Sequence, residues 1–104
     1  MGMDMNALMK QAQKMQERMQ KVQEDLAHER IEETSGGGMV RVVVNGHQEI
    51  IELQIKPDAV NPDDVELLED MILVALRNAL AKSQELAKGK MSEVTGGLKI
   101  PGIL

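Results

Sequence analysis

The sequence predicts an α+β domain made of a long N-terminal helix, a small antiparallel sheet of about three strands and a long C-terminal helix. Three observations carry this. Met5, Leu8, Ala12, Met15, Met19, Val22 and Leu26 step by three and four, which keeps them on one stripe of an α-helix. Met39 to Asn45 alternates instead, with Val40, Val42 and Val44 on one face and Met39, Arg41 and Val43 on the other, the period of a half-buried strand. From Pro62 a helical pattern returns around the apolar run Met71-Ile72-Leu73-Val74-Ala75-Leu76. The expected boundaries are helix 5–30, sheet 31–56, helix 62–88 and tail 95–104, all within a single domain, 1–104.

A first helix of about 25 residues spans roughly 38 Å, more than a chain of this size can cover with its own core. Oligomerisation is the usual remedy. The interior has no Phe, Tyr or Trp and is built from Val, Ile, Leu, Ala and nine Met. That composition removes the aromatic stacking by which single-stranded nucleic acid is usually held, and leaves double-stranded DNA open. With no Cys and only His28 and His47, neither a Cys/His zinc site nor a disulfide framework can form, and no motif supports a carboxylate-bound metal. No cofactor and no small-molecule substrate are expected. No apolar run approaches the ~18 residues that span a bilayer, and no signal peptide opens the sequence, so a cytoplasmic protein without membrane contact is expected. Asn6 stands where a myristoylation motif needs Ser or Thr.

The first helix begins after Asp4, an N-cap whose carboxylate can accept a backbone N–H at the positive end of the dipole. Lys10, Lys14 and Arg18 follow in one i, i+4 row, with Lys21 beside Arg18. Glu17 can relieve Lys21, but the row contains no acid of its own. It reads equally as a solvated face or as a stripe that meets phosphates. Residues 1–21 carry a balance of +2, and residues 22–35, with Glu24, Asp25, Glu29, Glu32 and Glu33 against Arg30, carry −4. The net charge of −5 argues against a generally basic nucleic-acid binder, so any such surface must be local.

Ile31 to Ser35 is expected as a short strand. Gly36-Gly37-Gly38 after it lacks the Lys-Ser or Lys-Thr and the helix of a phosphate loop, and reads as a bend. Asn45-Gly46 is a strong hairpin signal. Because register follows the buried face, a four-residue loop Asn45 to Gln48 is preferred, setting Val42 opposite Ile51 and Val40 opposite Leu53, with His47 exposed at the tip. Pro57-Asp58 ends the returning strand Ile51 to Ile55.

Asn61-Pro62-Asp63-Asp64 reads as N-cap, N1 proline and first-turn acids of the second helix. Its centre is apolar nearly all round, so Met71, Ile72, Val74, Ala75 and Leu76 are candidates for a dimer interface. Its acids precede its cations Arg77, Lys82, Lys88 and Lys90, the order the helix dipole favours. Beyond Gly89 the pattern loosens. Leu98, Ile100, Ile103 and Leu104 suggest a tail that docks on a surface, with a disordered end as the alternative.

Catalysis has no support. Ser35, Ser83 and Ser92 lie in no nucleophile elbow, two histidines without context give no triad, and the acids 63–70 are explained by their place in a helix's first turns. The chain is expected not to be an enzyme.

The stretches Leu8-Met9-Lys10-Gln11-Ala12-Gln13-Lys14-Met15-Gln16, Gly36-Gly37-Gly38-Met39-Val40, Val44-Asn45-Gly46, Leu68-Glu69-Asp70 with Asn78-Ala79, and Thr95-Gly96-Gly97-Leu98 with Pro101-Gly102 resemble the YbaB/EbfC family of bacterial nucleoid-associated DNA-binding proteins. The resemblance implies a tweezer-like homodimer in the cytoplasm and nucleoid that binds duplex DNA with limited sequence preference and regulates gene expression or organises the chromosome. Carried onto this sequence, its DNA-binding surface includes Lys10, Lys14, Arg18 and Lys21, with Arg77, Lys82, Lys88 and Lys90 as second-helix candidates. The competing expectation, from a different class, is a helical protein–protein interaction module whose basic face is merely solvated.

Overall fold

Helix α1 covers Met5–His28 and is followed by strands β1 (Ile31–Ser35), β2 (Val40–Val44) and β3 (Ile50–Ile55), a short 3-10 turn at Pro57–Ala59, and helix α2 (Val65–Thr95). These elements come from a computed structural model that describes residues 4–96, so most of the expected tail lies outside the described residues. The three strands form one antiparallel sheet in the order β1-β2-β3, with helices at both ends of the chain, the α+β arrangement expected.

The core lies between the sheet and α2. Val40, Val42 and Val44 are fully buried, as their alternation predicts, and pack with Ala75 and Ala79 of α2. Met71, Ile72 and Leu76 pack around this cluster too. This revises the expected dimer interface: Ala75 is enclosed by its own protomer and has no surface to offer a partner, while Val74 remains 48% exposed. The apolar run is wide because one side of it is needed at home.

The hairpin differs from the expected register. Val42 faces Leu53 and Val40 faces Ile55, two residues further along than anticipated, and a bulge between Val43 and Val44 lets Val44 pair with Ile50. A shift by two keeps Leu53 and Ile55 on the face of Val42 and Val40, but the bulge breaks that alternation at Ile50 and Ile51, and Ile51 and Leu53 are 48% and 46% exposed. The extra length sits in the loop, where Asn45 Oδ1 accepts the N–H groups of His47 and Glu49, and Gln48 adopts a left-handed φ of 60°. Gln48 is held there by Ser83 of α2, whose hydroxyl accepts from the Gln48 N–H and side-chain amide and donates to the Asn45 carbonyl.

Helix α2 also departs from its expected ends. It starts at Val65 because Asp64, not Asn61, is the N-cap, accepting the Leu67 N–H; Asn61 instead caps a preceding turn through the Asp63 N–H. It runs through Gly89 to Thr95 and stops at Gly96, whose φ is 63°. A mid-helix glycine costs about 1 kcal/mol relative to alanine. Contacts beyond it oppose that cost: Val94 is buried, and Lys90 Nζ lies 3.7 Å from Glu29, the residue that caps the end of α1.

Among the described residues, helix α1 meets the rest of the molecule along its C-terminal half, from Arg18 onward. Leu26 is 2% exposed, and its carbonyl accepts the Gly46 N–H at 2.8 Å. A Cβ on Gly46 would come within 2.6 Å of the Leu26 side chain and 2.8 Å of its carbonyl oxygen, so glycine is required there by close approach. His47, expected to be free at the loop tip, lies with Nε2 2.9 Å from the Gln23 carbonyl and forms part of the same joint. From this joint α1 projects outward. The Cα radius of gyration is 20.0 Å, against about 13 Å for a closed domain of this length, and the longest extent is 76 Å.

Gly46→Ala is expected to lower the free energy of unfolding by about 1 to 3 kcal/mol, the range for overpacking, as measured by urea denaturation. A loss below about 0.5 kcal/mol would show that the joint tolerates a methyl group.

Candidate nucleic-acid interface

The projecting part of α1 is an amphipathic arm with its two faces set apart. Asp4 Oδ1 accepts the Asn6 N–H at 3.0 Å and caps it. Between the cap and the joint the sequence is rich in Met, Ala, Leu, Gln, Lys, Glu and Arg, the residues that cost a helix least. At about 100° per residue, Lys10, Lys14, Arg18 and Lys21 fall within one narrow sector, and the seam Leu8, Ala12, Met15 and Met19 lies well round on the other side.

All four cations are exposed, and none is ion-paired among the described residues. From Lys10 to Lys21 the row is roughly 17 Å long at 1.5 Å per residue. Glu17 stands beside the row, three residues after Lys14 and four before Lys21, and the next acids are Glu24 and Asp25, where α1 nears the joint. What this arrangement offers is a line of mobile ammonium and guanidinium donors on a narrow rod, suited to phosphate oxygens spaced along a groove edge.

The second-helix candidates are placed differently. Lys82 Nζ is 2.7 Å from Glu33 of β1, and Lys90 is the partner of Glu29, so both stitch α2 to the rest of the chain. Such surface pairs contribute ~0 to 1 kcal/mol and do not forbid phosphate contact, but they make these lysines less available than the α1 row. Arg77 and Lys88 are exposed and carry no ion pair among the described residues. Sequence reasoning could not see the Glu33 and Glu29 pairings, since each joins elements far apart in the chain.

The sheet's outer face is an ion-pair network and not a reactive site. Arg41 bridges Glu32 at 2.8 Å and Glu52 at 3.3 Å. The Arg41 hydrogen bond holds the Glu32 carboxyl below the usual carboxylate range, and Arg41 itself is raised by Glu32. Among the described residues no group of three or more His, Cys, Asp or Glu comes together as a metal site, and no helix is long and apolar enough to cross a membrane. A broad depression beside α1 is lined mainly by Gln13, Gln16, Gln20 and Gln23 and is open to solvent.

Comparison with known proteins agrees with this geometry. The model of the YbaB/EbfC DNA-binding family matches residues 1–98. A nucleoid-associated protein of Pelotomaculum thermopropionicum is 50% identical over 103 residues, covering 99% of this chain and 98% of that protein. One from Desulforamulus reducens is 53% identical over 103 residues with the same coverage. In shape the chain is similar to the crystal structure of uncharacterized protein HP0035 from Helicobacter pylori, with a TM-score of 0.81 at 26% identity over 91% of this chain and all of that one.

Proposed function

Since the chain belongs to the YbaB/EbfC DNA-binding family and binds DNA of the nucleoid, we propose that it grips double-stranded DNA through the basic row Lys10, Lys14, Arg18 and Lys21 on the arm of α1. The family is a DNA-binding one and not a family of enzymes. The observation that carries the assignment to these residues is that four cations, none ion-paired among the described residues, stand on one face of a helix with Glu17 as the one acid beside them. Like charges in such a row cost roughly 0.2 to 0.5 kcal/mol per pair, a cost that phosphate oxygens offset on binding. In this reading the contacts are to the phosphate backbone, which carries no sequence information, so limited sequence preference is expected. Lys88 and Arg77 are secondary contacts in this reading, and Lys82 and Lys90 must leave their acids to take part.

The working unit is a homodimer. Its support is apolar surface that the protomer does not use: Ile51 and Leu53 on β3 are 48% and 46% exposed, and Leu73 and Val74 on α2 are 44% and 48% exposed. Helix α2 covers β1 and β2, and on β3 only Ile55 packs against the core, leaving Ile51 and Leu53 exposed beside it. A second copy covering these faces places two basic arms on one particle, which matches a tweezer-like grip on a duplex and raises avidity without new contacts.

Reversing Lys10, Lys14, Arg18 and Lys21 to Glu is expected to abolish a duplex gel shift while the far-ultraviolet circular dichroism stays unchanged. Undiminished affinity in that variant removes the arm as the DNA-binding surface. Leu53→Glu with Leu73→Glu is expected to reduce the light-scattering mass from two chains to one, and a mass unaffected by the pair contradicts this interface.

A further inference from the structure

The outer half of the α1 seam is bare. Met5 is 72% exposed, Met15 41% and Leu8 38%, and Met9, on the border of the seam, is 58% exposed. Helix α2 reaches α1 from Arg18 onward, where Val94 shares a groove with Arg18 and Val22, so nothing among the described residues covers the stretch from Met5 to Met15. Met5, Leu8, Ala12 and Met15 step by three, four and three, the spacing with which one helix packs against another in a coiled coil. A dimer built on β3 and the first half of α2 leaves this stretch untouched.

We infer that this stretch of α1 pairs antiparallel with the same stretch of a second copy, so that arms of different particles join. The residues bordering the seam select this occupant and its register. Asp4, Gln11 and Arg18 follow one border at steps of seven, and Met9 lies on the other. When Met5 stacks on Met15 of the second copy and Leu8 on its Ala12, Asp4 comes beside the second copy's Arg18, Gln11 beside Gln11 and Met9 beside Met9. Two-fold symmetry makes the Asp4–Arg18 contact twice. Arg18 has no ion pair among the described residues to give up for it. Sliding one helix by a heptad, to set Ala12 on Met15, faces Asp4 with the second copy's Asp25, a like-charge contact that disfavours that register. A parallel pair brings Asp4 beside Met9 and Arg18 beside Gln23, with no ion pair at all. Lys10, Lys14 and Lys21 lie off the seam and stay outward in the antiparallel pair.

The geometry keeps the two bodies apart. In this register the joints at Leu26 lie about 48 Å from each other along the paired rod, at 1.5 Å per residue, with the arms between them. Helix α2 runs back from Val94 antiparallel to α1, since Lys90 meets Glu29 while Val94 meets Arg18 and Val22, and this carries Leu73 and Val74 roughly 30 Å further from the arm. Two chains joined by their arms therefore cannot also meet through β3 and α2. The arm contact links one dimer to the next, and a dimer with two arms builds an open chain of particles. That last step rests on the homodimer reading above, whereas the arm pairing does not.

The test uses no DNA. The sequence has no cysteine, so a single thiol can be placed in the whole chain without background. Met9→Cys brings two thiols together across the two-fold, whereas Met15→Cys leaves them roughly 15 Å apart along the rod. Both positions are exposed, and circular dichroism checks that each variant folds. With a short bismaleimide, Met9→Cys is expected to join two chains at least ~10-fold faster than Met15→Cys, because a linker that cannot span its sites has almost no effective concentration. The rate is expected to rise with protein concentration. Adding Arg18→Glu to the Met9→Cys chain is expected to slow the joining about 3-fold or more, through like charge with Asp4. Equal rates for the two positions would overturn the inference, and so would a faster Met15→Cys reaction, which marks parallel arms, or a rate independent of concentration, which marks arms of one particle. An unchanged rate with Arg18→Glu overturns the register that charge selects. In the Leu53→Glu, Leu73→Glu background the Met9→Cys product is expected to form as fast, with a light-scattering mass of two chains in place of four or more. Fast Met9→Cys joining that gives a mass of two chains without those two substitutions supports the arm pairing and refutes the β3 and α2 dimer instead.

Discussion

The hydrogen bond from the Gly46 N–H to the Leu26 carbonyl, 2.8 Å long, is the contact on which the molecule's shape depends. It joins the last turns of α1 to the loop between β2 and β3, and it forms only because residue 46 lacks a Cβ. Asn45 organises the loop from within, and Ser83 ties the loop to α2. One small polar junction thus fixes the helix, the sheet and the second helix relative to one another. Everything on α1 before that junction becomes a lever, and its cations are carried away from the body.

That displacement resolves how a chain with a net charge of −5 can hold a polyanion. Beyond Glu17, the acids that follow the row run from Glu24 to Glu33, near the joint and on β1, and three of them are occupied by Lys90, Arg41 and Lys82. From Lys10 to Glu24 the helix rises about 21 Å, well beyond a Debye length of ~8 Å at physiological ionic strength. The tip of the arm therefore presents its own charge, little affected by the rest. At low salt the acids should be felt further along the row, which makes geometry and not net charge the relevant quantity.

Much of this was legible in the sequence, for identifiable reasons. Strand β2 declared itself because strict alternation has no other stable reading, and Val40, Val42 and Val44 are buried as that alternation requires. The basic row was visible because helical spacing alone groups Lys10, Lys14, Arg18 and Lys21. What local pattern could not give was anything decided by a distant partner. The second helix outlasts Gly89 because Val94 and Lys90 meet α1, though Met91 and Val94 do continue the spacing of Ala87 and offered a faint signal. Asn61 and Asp64 are both good caps, and only tertiary geometry selected the second. The enclosure of Ala75 likewise follows from how α2 sits on the sheet, against Val40, Val42 and Val44.

The central claim is that DNA is held by a countable set of phosphate contacts on the arms. It is tested most directly by the affinity for a short duplex, followed by fluorescence anisotropy across a salt series. Four cations on each of two arms give at most about eight contacts, so log affinity should fall linearly with log salt at a slope no steeper than roughly −7. Replacing Lys10 and Lys14 with Gln on both arms should make that slope shallower by up to about 3.6, at 0.9 for each contact removed. A slope that stays the same in the Lys10 and Lys14 variant, or an affinity insensitive to salt, would contradict the account.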